Sequence, residues 1–198
     1  MGLDIDYIDG QTPLDEDEKE GLLIPTIVTR GELDEFEQQN IEKAITWSLS
    51  RNFKAKNIFT EDFIKNVHKH MYDDVWAWAG EFRKTEKNIG VKSWKVAIEL
   101  KNLLDDAIYW TDKNIYSSDE IAVRFKHRIV SIHCFPNGNG RHSRLIADII
   151  IEKVYNQPVF SWGATSLSSD GDIRATYLKA VKAADKQDYS LLLAFARS

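Results

Sequence analysis

A single cysteine, Cys134, stands among 198 residues, so no internal disulfide framework is available, and a reducing compartment is expected. No apolar run approaches the roughly 20 residues that a helix needs to span a bilayer. Cations are in the minority: 26 Lys and Arg against 31 Asp and Glu give a formal net charge of −5. That balance argues against a surface devoted mainly to nucleic acid. Met1 to Gly10 carry three aspartates and no basic residue, the reverse of the charged start of a signal peptide. The cytoplasm is the expected location. There is no internal repeat and no low-complexity tract.

What is present reads as an ordinary globular protein, 43% hydrophobic and 29% charged, long enough to bury a real core in one domain. Residues 1–30 read as an arm and residues 31–198 as the body. In the arm, Thr12-Pro13 is placed to open a short helix, with the acidic run Asp15 to Glu20 at its start and Gly21 near its end. Leu22, Leu23, Ile24 and Ile27 then form an apolar strap.

The body reads as helix after helix. Apolar residues recur at helical spacing from Glu32 to about Ser50, again after Thr60, from about Val96 to Trp110, after Ser118, and after Gly140. Thr60 and Ser118 are the expected N-caps of their helices. The tail from about Asp172 to Ala196 supplies one or two more helices, with a break near Asp188. Phe82 to Trp94 lacks this periodicity and reads as a small hairpin. The expected class is all-α with a two-stranded flap. His68 and His70 lie two apart and cannot share a helix face, so they make no metal pair. The tryptophans, among them Trp76, Trp78 and Trp94, are expected in the core.

Between the fourth and fifth body helices lies His133-Cys134-Phe135-Pro136-Asn137-Gly138-Asn139-Gly140-Arg141-His142-Ser143-Arg144. Gly138 and Gly140 permit close backbone approach. The helix that follows aims its free N–H groups and positive dipole end at the loop, which makes an anion site. Arg141 and Arg144, three apart, share a face of its first turn, where cations oppose the dipole unless an anion is bound. His133 stands beside that site as a base for a hydroxyl. Cys134 is either a buried, inert thiol or a thiolate activated next to His133. His142 reads as a support of the loop.

This segment resembles the signature of the Fic family, HxFx(D/E)GNGRxxR, and within it the group labelled mobile mystery protein B. Trp78-Ala79-Gly80-Glu81-Phe82-Arg83 resembles the family's segment before its flap, and Tyr177, Ala180, Ala184, Asp185 and Asp188 resemble its C-terminal pattern. The resemblance implies a Fic-type helical bundle with a β-hairpin flap, acting as a protein adenylyltransferase: AMP passes from ATP to a Ser, Thr or Tyr hydroxyl of a target protein. It implies His133 as general base. The Gly138-Asn139-Gly140 backbone and the Asn139 side chain would form the anion hole. Arg141 would hold the departing phosphates, Arg144 would reach the γ-phosphate, and Phe135 would anchor the loop. Residues about 84–93 would be the flap that docks the target by strand addition, or else an ordinary surface hairpin.

Two positions depart from the pattern. Cys134 replaces a usual Pro, and Asn137 replaces the Asp or Glu that binds Mg²⁺ in the family. A neutral carbonyl oxygen lacks the charge that draws in a hard cation. The alternative to transfer is therefore a nucleotide-binding or toxin-like module, with an antitoxin-like partner and catalysis weakened through Asn137. Doc-type phosphotransferases change the second Gly and the Arg of Gly-Asn-Gly-Arg, which are intact here. Glu20-Gly21 resembles the end of the family's inhibitory motif, whose Glu pairs with the second motif Arg, here Arg144; Glu16 stands at its Ser/Thr position. Residues 15–20 are thus either a brake or a solvated acidic turn.

Overall fold

The computed structural model describes residues 13–164 and 170–198. Its helices are α1 (Glu16–Lys19), α2 (Arg30–Leu49), α3 (Ala55–Ile58), α4 (Glu61–Tyr72), α5 (Val96–Lys113), α6 (Ser118–Ile132), α7 (Asn139–Ile149), α8 (Asp170–Ala184) and α9 (Ser190–Arg197). A 3₁₀ turn, Ser93–Lys95, leads into α5, and a π-helical turn, Ile150–Val154, prolongs α7.

The caps follow side-chain chemistry. Thr29 opens α2 two residues before the expected start: its hydroxyl accepts from the Glu32 N–H at 3.3 Å while the Glu32 carboxylate accepts from the Thr29 N–H at 3.0 Å. Thr60 caps α4 as expected, accepting from the Phe63 N–H at 3.2 Å. The cap of α6 is Ser117, which accepts from the Glu120 N–H at 3.3 Å, and Ser118 is the first helical residue. Either serine can cap; the helix starts where the acid three positions on offers its N–H. The break before α9 falls at Asp188, whose carboxylate accepts from the Ser190 N–H at 3.0 Å. Of the residues expected to open the arm helix, Thr12 lies outside the described residues, and α1 begins after Asp15.

Helix α7 sits among α6, α4 and α2, and α5 covers the far side of α6. Met71, Leu100, Leu103, Phe125, Ile146 and Ile150 are all fully buried between them. Each such side chain contributes roughly 1.5–3 kcal/mol, which fixes the two helices that flank the 133–144 loop. Trp76 lies in this core, but Trp94 is 69% exposed. No described helix is long and apolar enough to cross a membrane.

The β-hairpin is absent. Among the described residues there is no strand, only one isolated antiparallel bridge between Leu22 and Trp76. Near the two ends of residues 84–92 the Thr85 and Val91 carbonyls are taken by one side chain. The Arg83 guanidinium donates to the Thr85 carbonyl at 2.8 Å, to the Val91 carbonyl, and through Nε to the His133 carbonyl at 2.6 Å. Backbone bonds from Arg83 to Cys134 (3.0 Å) and from Val91 to Ile132 (3.3 Å) pin both ends of the segment beside the end of α6. One arginine closes it as a loop where cross-strand pairing was expected.

Candidate active site

Helix α6 ends at His133, which takes the left-handed conformation (φ 58°) and donates its N–H to the Ile129 carbonyl at 3.2 Å. The chain then turns back into α7 through Gly138, at φ 75°. A Cβ there would fall 2.5 Å from the Tyr72 ring, so this position requires glycine. Among the described residues, the N–H groups of Asn139, Gly140 and Arg141 have no hydrogen-bond partner. They form the open donor end of α7.

Buried side chains hold the loop in shape. The Asn139 carboxamide accepts from the Phe135 N–H at 2.9 Å and donates to the Phe135 carbonyl at 2.8 Å. Its side chain therefore clamps the loop, and the backbone alone is left to meet an anion. Phe135 is fully buried and stacks on His68, ring centroids 3.7 Å apart. His68 accepts from the Gly80 N–H at 3.0 Å through Nδ1, which assigns its proton to Nε2, 3.1 Å from the Asn137 carbonyl. His142 lies 3.0 Å from the Ile64 carbonyl and ties α7 to α4. Burial holds the His68 pKa well below the usual imidazole range and takes that of His142 down to about 4. Neither histidine is a ligand; both are neutral struts.

His133 itself is only 4% exposed, and its pKa falls to about 4, first through burial and then through the charges of Arg83 and Lys87. Its imidazole is neutral at pH 7. The flap segment packs directly on it, since a Cβ on Gly90 would come within 2.7 Å of the His133 Cβ. Cys134 is fully buried, and burial pushes its thiol up to about 12, which leaves the inert reading.

A cavity of about 800 Å³ opens over this loop, lined by His133, Asn137, Gly138, Asn139, Gly140, Arg141 and Arg144. Sequence spacing thus placed both arginines on one wall, but their surroundings differ. Arg141 pairs with Glu37 on α2 at 2.7 Å, and its guanidinium lies 5.3 Å from the centroid of the Tyr72 ring. Against the cost of burial, Tyr72 and Glu37 hold it firmly protonated. The second Glu37 oxygen accepts from the Trp76 indole N–H at 2.7 Å. The Arg144 guanidinium lies over the Tyr177 ring at 4.9 Å, and its buried Nε has no hydrogen-bond partner among the described residues. Behind Tyr177 the buried Lys126 donates to the phenol oxygen at 2.5 Å. Trp162 lines the same cavity, and its indole N–H donates to both oxygens of Asp148 at 3.0 and 3.1 Å. Burial raises the Asp148 pKa to about 6.

Glu37 was missed in the sequence, although a signal was present. It shares one helix face with Leu33, Ile41 and Ala44, an acid in an otherwise apolar stripe. The brake reading of Glu20 finds no contact to rest on here. Glu20 is exposed at the end of α1 and forms no ion pair with Arg144 among the described residues. The arm carboxylates that reach the 84–93 segment are Asp15 and Glu18, both on Lys87.

Residues 58–151, which run from the end of α3 into the π-helical turn, match the model of the Fic/DOC family. That stretch belongs to the Fic/DOC family. Solved Fic structures share its fold. The Bartonella tribocorum BepC protein, with bound AMPPNP, is 15% identical at a TM-score of 0.69, with 92% of this chain and 97% of that one covered. The N-terminal FIC domain of a Bartonella sp. 1-1C effector is also 15% identical, at a TM-score of 0.66 over 89% of this chain and 94% of that one. An N-terminal Fic domain from Bartonella quintana, with bound ADP, is 16% identical at a TM-score of 0.65 over 87% and 86%. A comparison with curated proteins gave no match. The loop His133 to Arg144 lies within the matched residues.

Proposed function

We propose that this Fic domain transfers the AMP moiety of ATP to a hydroxyl of a target protein, with His133 as general base. One arrangement carries the reading: a neutral buried histidine lines the same cavity as three open backbone donors, two arginines and an orphaned arginine Nε. The nucleotides bound to the two Bartonella proteins support a nucleotide as the ligand. Trp162, Ile173 and Leu178 also line the cavity and suit a base, and the helix end suits the phosphates.

The chemistry divides among the residues of this chain. The N–H groups of Asn139 to Arg141 face the α- and β-phosphates, and the Arg144 guanidinium takes the terminal one. His133 accepts the proton of the attacking hydroxyl, whose oxygen forms the new bond to the α-phosphorus as pyrophosphate leaves. Positioning and charge stabilisation contribute most of the catalysis in such transfers. Residues 84–93 hold the target: among the described residues no backbone N–H from Lys84 to Gly90 has an internal partner, so the segment offers an open edge for strand addition.

The loop from His133 to Arg144 offers Mg²⁺ no carboxylate. The Asn137 Oδ1 accepts from the Gly138 N–H at 2.6 Å, and no group of three or more His, Cys, Asp or Glu able to hold a metal occurs among the described residues. Phosphate charge is met here by arginine and backbone donors. The test is transfer of label from α-labelled ATP to lysate proteins by the wild type and by His133→Ala. Label transfer that survives in His133→Ala would remove the histidine as the base. No transfer by the wild type, with ATP still bound, would leave the nucleotide-binding module as the function.

A further inference from the structure

The segment from Arg83 to Lys95 has a charge unlike the rest of the chain. It carries Arg83, Lys84, Lys87, Lys92 and Lys95 against Glu86 alone, in a protein of net charge −5. Arg83 is consumed in closing the loop. Lys87 is consumed by the arm: its side chain is 2% exposed, and its ammonium donates to the Pro13 carbonyl at 3.2 Å and to Asp15 at 3.0 Å, and pairs with Glu18. The other Glu18 oxygen accepts from the Thr85 hydroxyl at 3.0 Å. Thr85 and Lys87 thus form a two-point seat for one carboxylate.

The arm is fastened there by more than charge. The Trp78 indole donates to the Glu18 carbonyl at 2.9 Å, the Ala77 N–H to the Gly21 carbonyl at 2.8 Å, and the Leu23 N–H to the Val75 carbonyl at 2.8 Å. Beyond the arm the surface is open. The Lys84 side chain is 88% exposed, and Lys92 and Lys95 are exposed around Trp94 and Ile98, themselves 69% and 59% exposed. An unpaired main-chain edge, cations and apolar side chains therefore lie together, and Gly90 connects them to His133.

We propose that residues 84–95 recognise an acidic segment of the target protein, and that Asp15 and Glu18 of the arm occupy part of that surface as its internal counterpart. The proposal rests on the transfer reading only in naming the occupant a target. Main-chain pairing along Lys84 to Gly90 supplies general affinity, and the lysines select for carboxylates. The arm shows the fit: two acids three positions apart reach one ammonium and one hydroxyl. Nucleic acid suits the surface less well, because its occupied seat holds carboxylates and the chain as a whole is acidic.

The test measures docking without nucleotide, by anisotropy of a labelled peptide that carries one serine, leucines and several glutamates. The exposed double variant Lys92→Glu/Lys95→Glu should bind it about tenfold more weakly, as when exposed ion pairs become repulsions. Asp15→Asn/Glu18→Gln should bind it more tightly, since the Lys87 seat is freed. The same peptide with glutamine for glutamate should bind weakly to every form. Equal binding of the two peptides, or unchanged binding by the double lysine variant, would overturn the proposal. So would tighter binding of a single-stranded RNA than of the acidic peptide. Because no nucleotide takes part, an inactive enzyme that still docks the acidic peptide separates failure of the transfer reading from failure of this one.

Discussion

Glu37 and Arg141 meet at 2.7 Å on the wall of the cavity, with the Glu37 side chain 3% exposed and the Arg141 side chain 37% exposed. The arginine that should face phosphate thus already holds a counter-ion. The pair is oriented from both sides, by the Trp76 indole on the acid and the Tyr72 ring under the base. A phosphate approaching Arg141 meets a charge half neutralised and a geometry already fixed.

Glu37→Gln should therefore tighten ATP binding several-fold at low salt, because the glutamine oxygen still accepts from Trp76 while the competing charge is gone. The fold should lose about 1–2 kcal/mol, less than a fully buried pair would cost, since Arg141 is partly exposed. Calorimetry with ATP and thermal unfolding read the two effects. Weaker ATP binding would mean that Glu37 acts chiefly by orienting the arginine.

Arg141→Ala removes a charged donor from the cavity and should weaken ATP binding by roughly 1.5–3 kcal/mol. It also leaves Glu37 buried without its partner, so unfolding must be followed in parallel. Unchanged affinity in a folded variant would make Arg141 a structural residue.

Asn137→Asp tests the missing acid. Wild-type affinity for ATP should differ by less than about threefold between Mg²⁺ and chelator, since no carboxylate draws the cation in. The variant keeps an acceptor for the Gly138 N–H, so the turn should persist. It should bind ATP more tightly with Mg²⁺ and more weakly with chelator, where an added negative charge repels phosphate. Weaker binding in both conditions would show that the loop cannot seat a metal even with the acid restored.

The acid limb of the transfer rate should lie well below pH 6. His133, with a pKa of about 4, is already neutral throughout the neutral range. An ordinary imidazole, near 6.5, would halve the rate at that pH. A rate that halves near 6.5 would mean that target docking returns the histidine to water.

Stability should fall as pH drops from 7 to 4. The folded pKa values of His133 and His142, each about 4, lie below the unfolded value near 6.5, so acid protonates the unfolded chain first. Each contributes up to about 3 kcal/mol above pH 6.5, and that contribution is lost on the way down. His68 and His127 shift in the same direction. Asp148 opposes them: its folded pKa of about 6 exceeds the unfolded one, so it adds stability as pH falls through 6, again by up to about 3 kcal/mol. Four histidines outweigh one aspartate. A melting temperature that stays level from pH 7 to 4.5 would show that these rings are not buried in solution.

The helices and the loop are legible in the sequence. Apolar spacing and cap chemistry are local, so α4, α5 and the break at Asp188 could be read from neighbours a few residues away. The signature from His133 to Arg144 is likewise contiguous, and so are the φ demands met by Gly138. What each side chain in that loop does depends on its folded surroundings. Asn139 turned inward because Phe135 left a buried N–H and carbonyl to satisfy, and Arg141 found Glu37 more than a hundred positions back along the chain. The flap lost its strands because one side chain, Arg83, reaches three carbonyls on two segments. The arm engaged Glu18 and not Glu20 because the folded chain carries Lys87 to it. Such choices depend on which distant polar groups are buried together and must satisfy one another, and local pattern does not encode that.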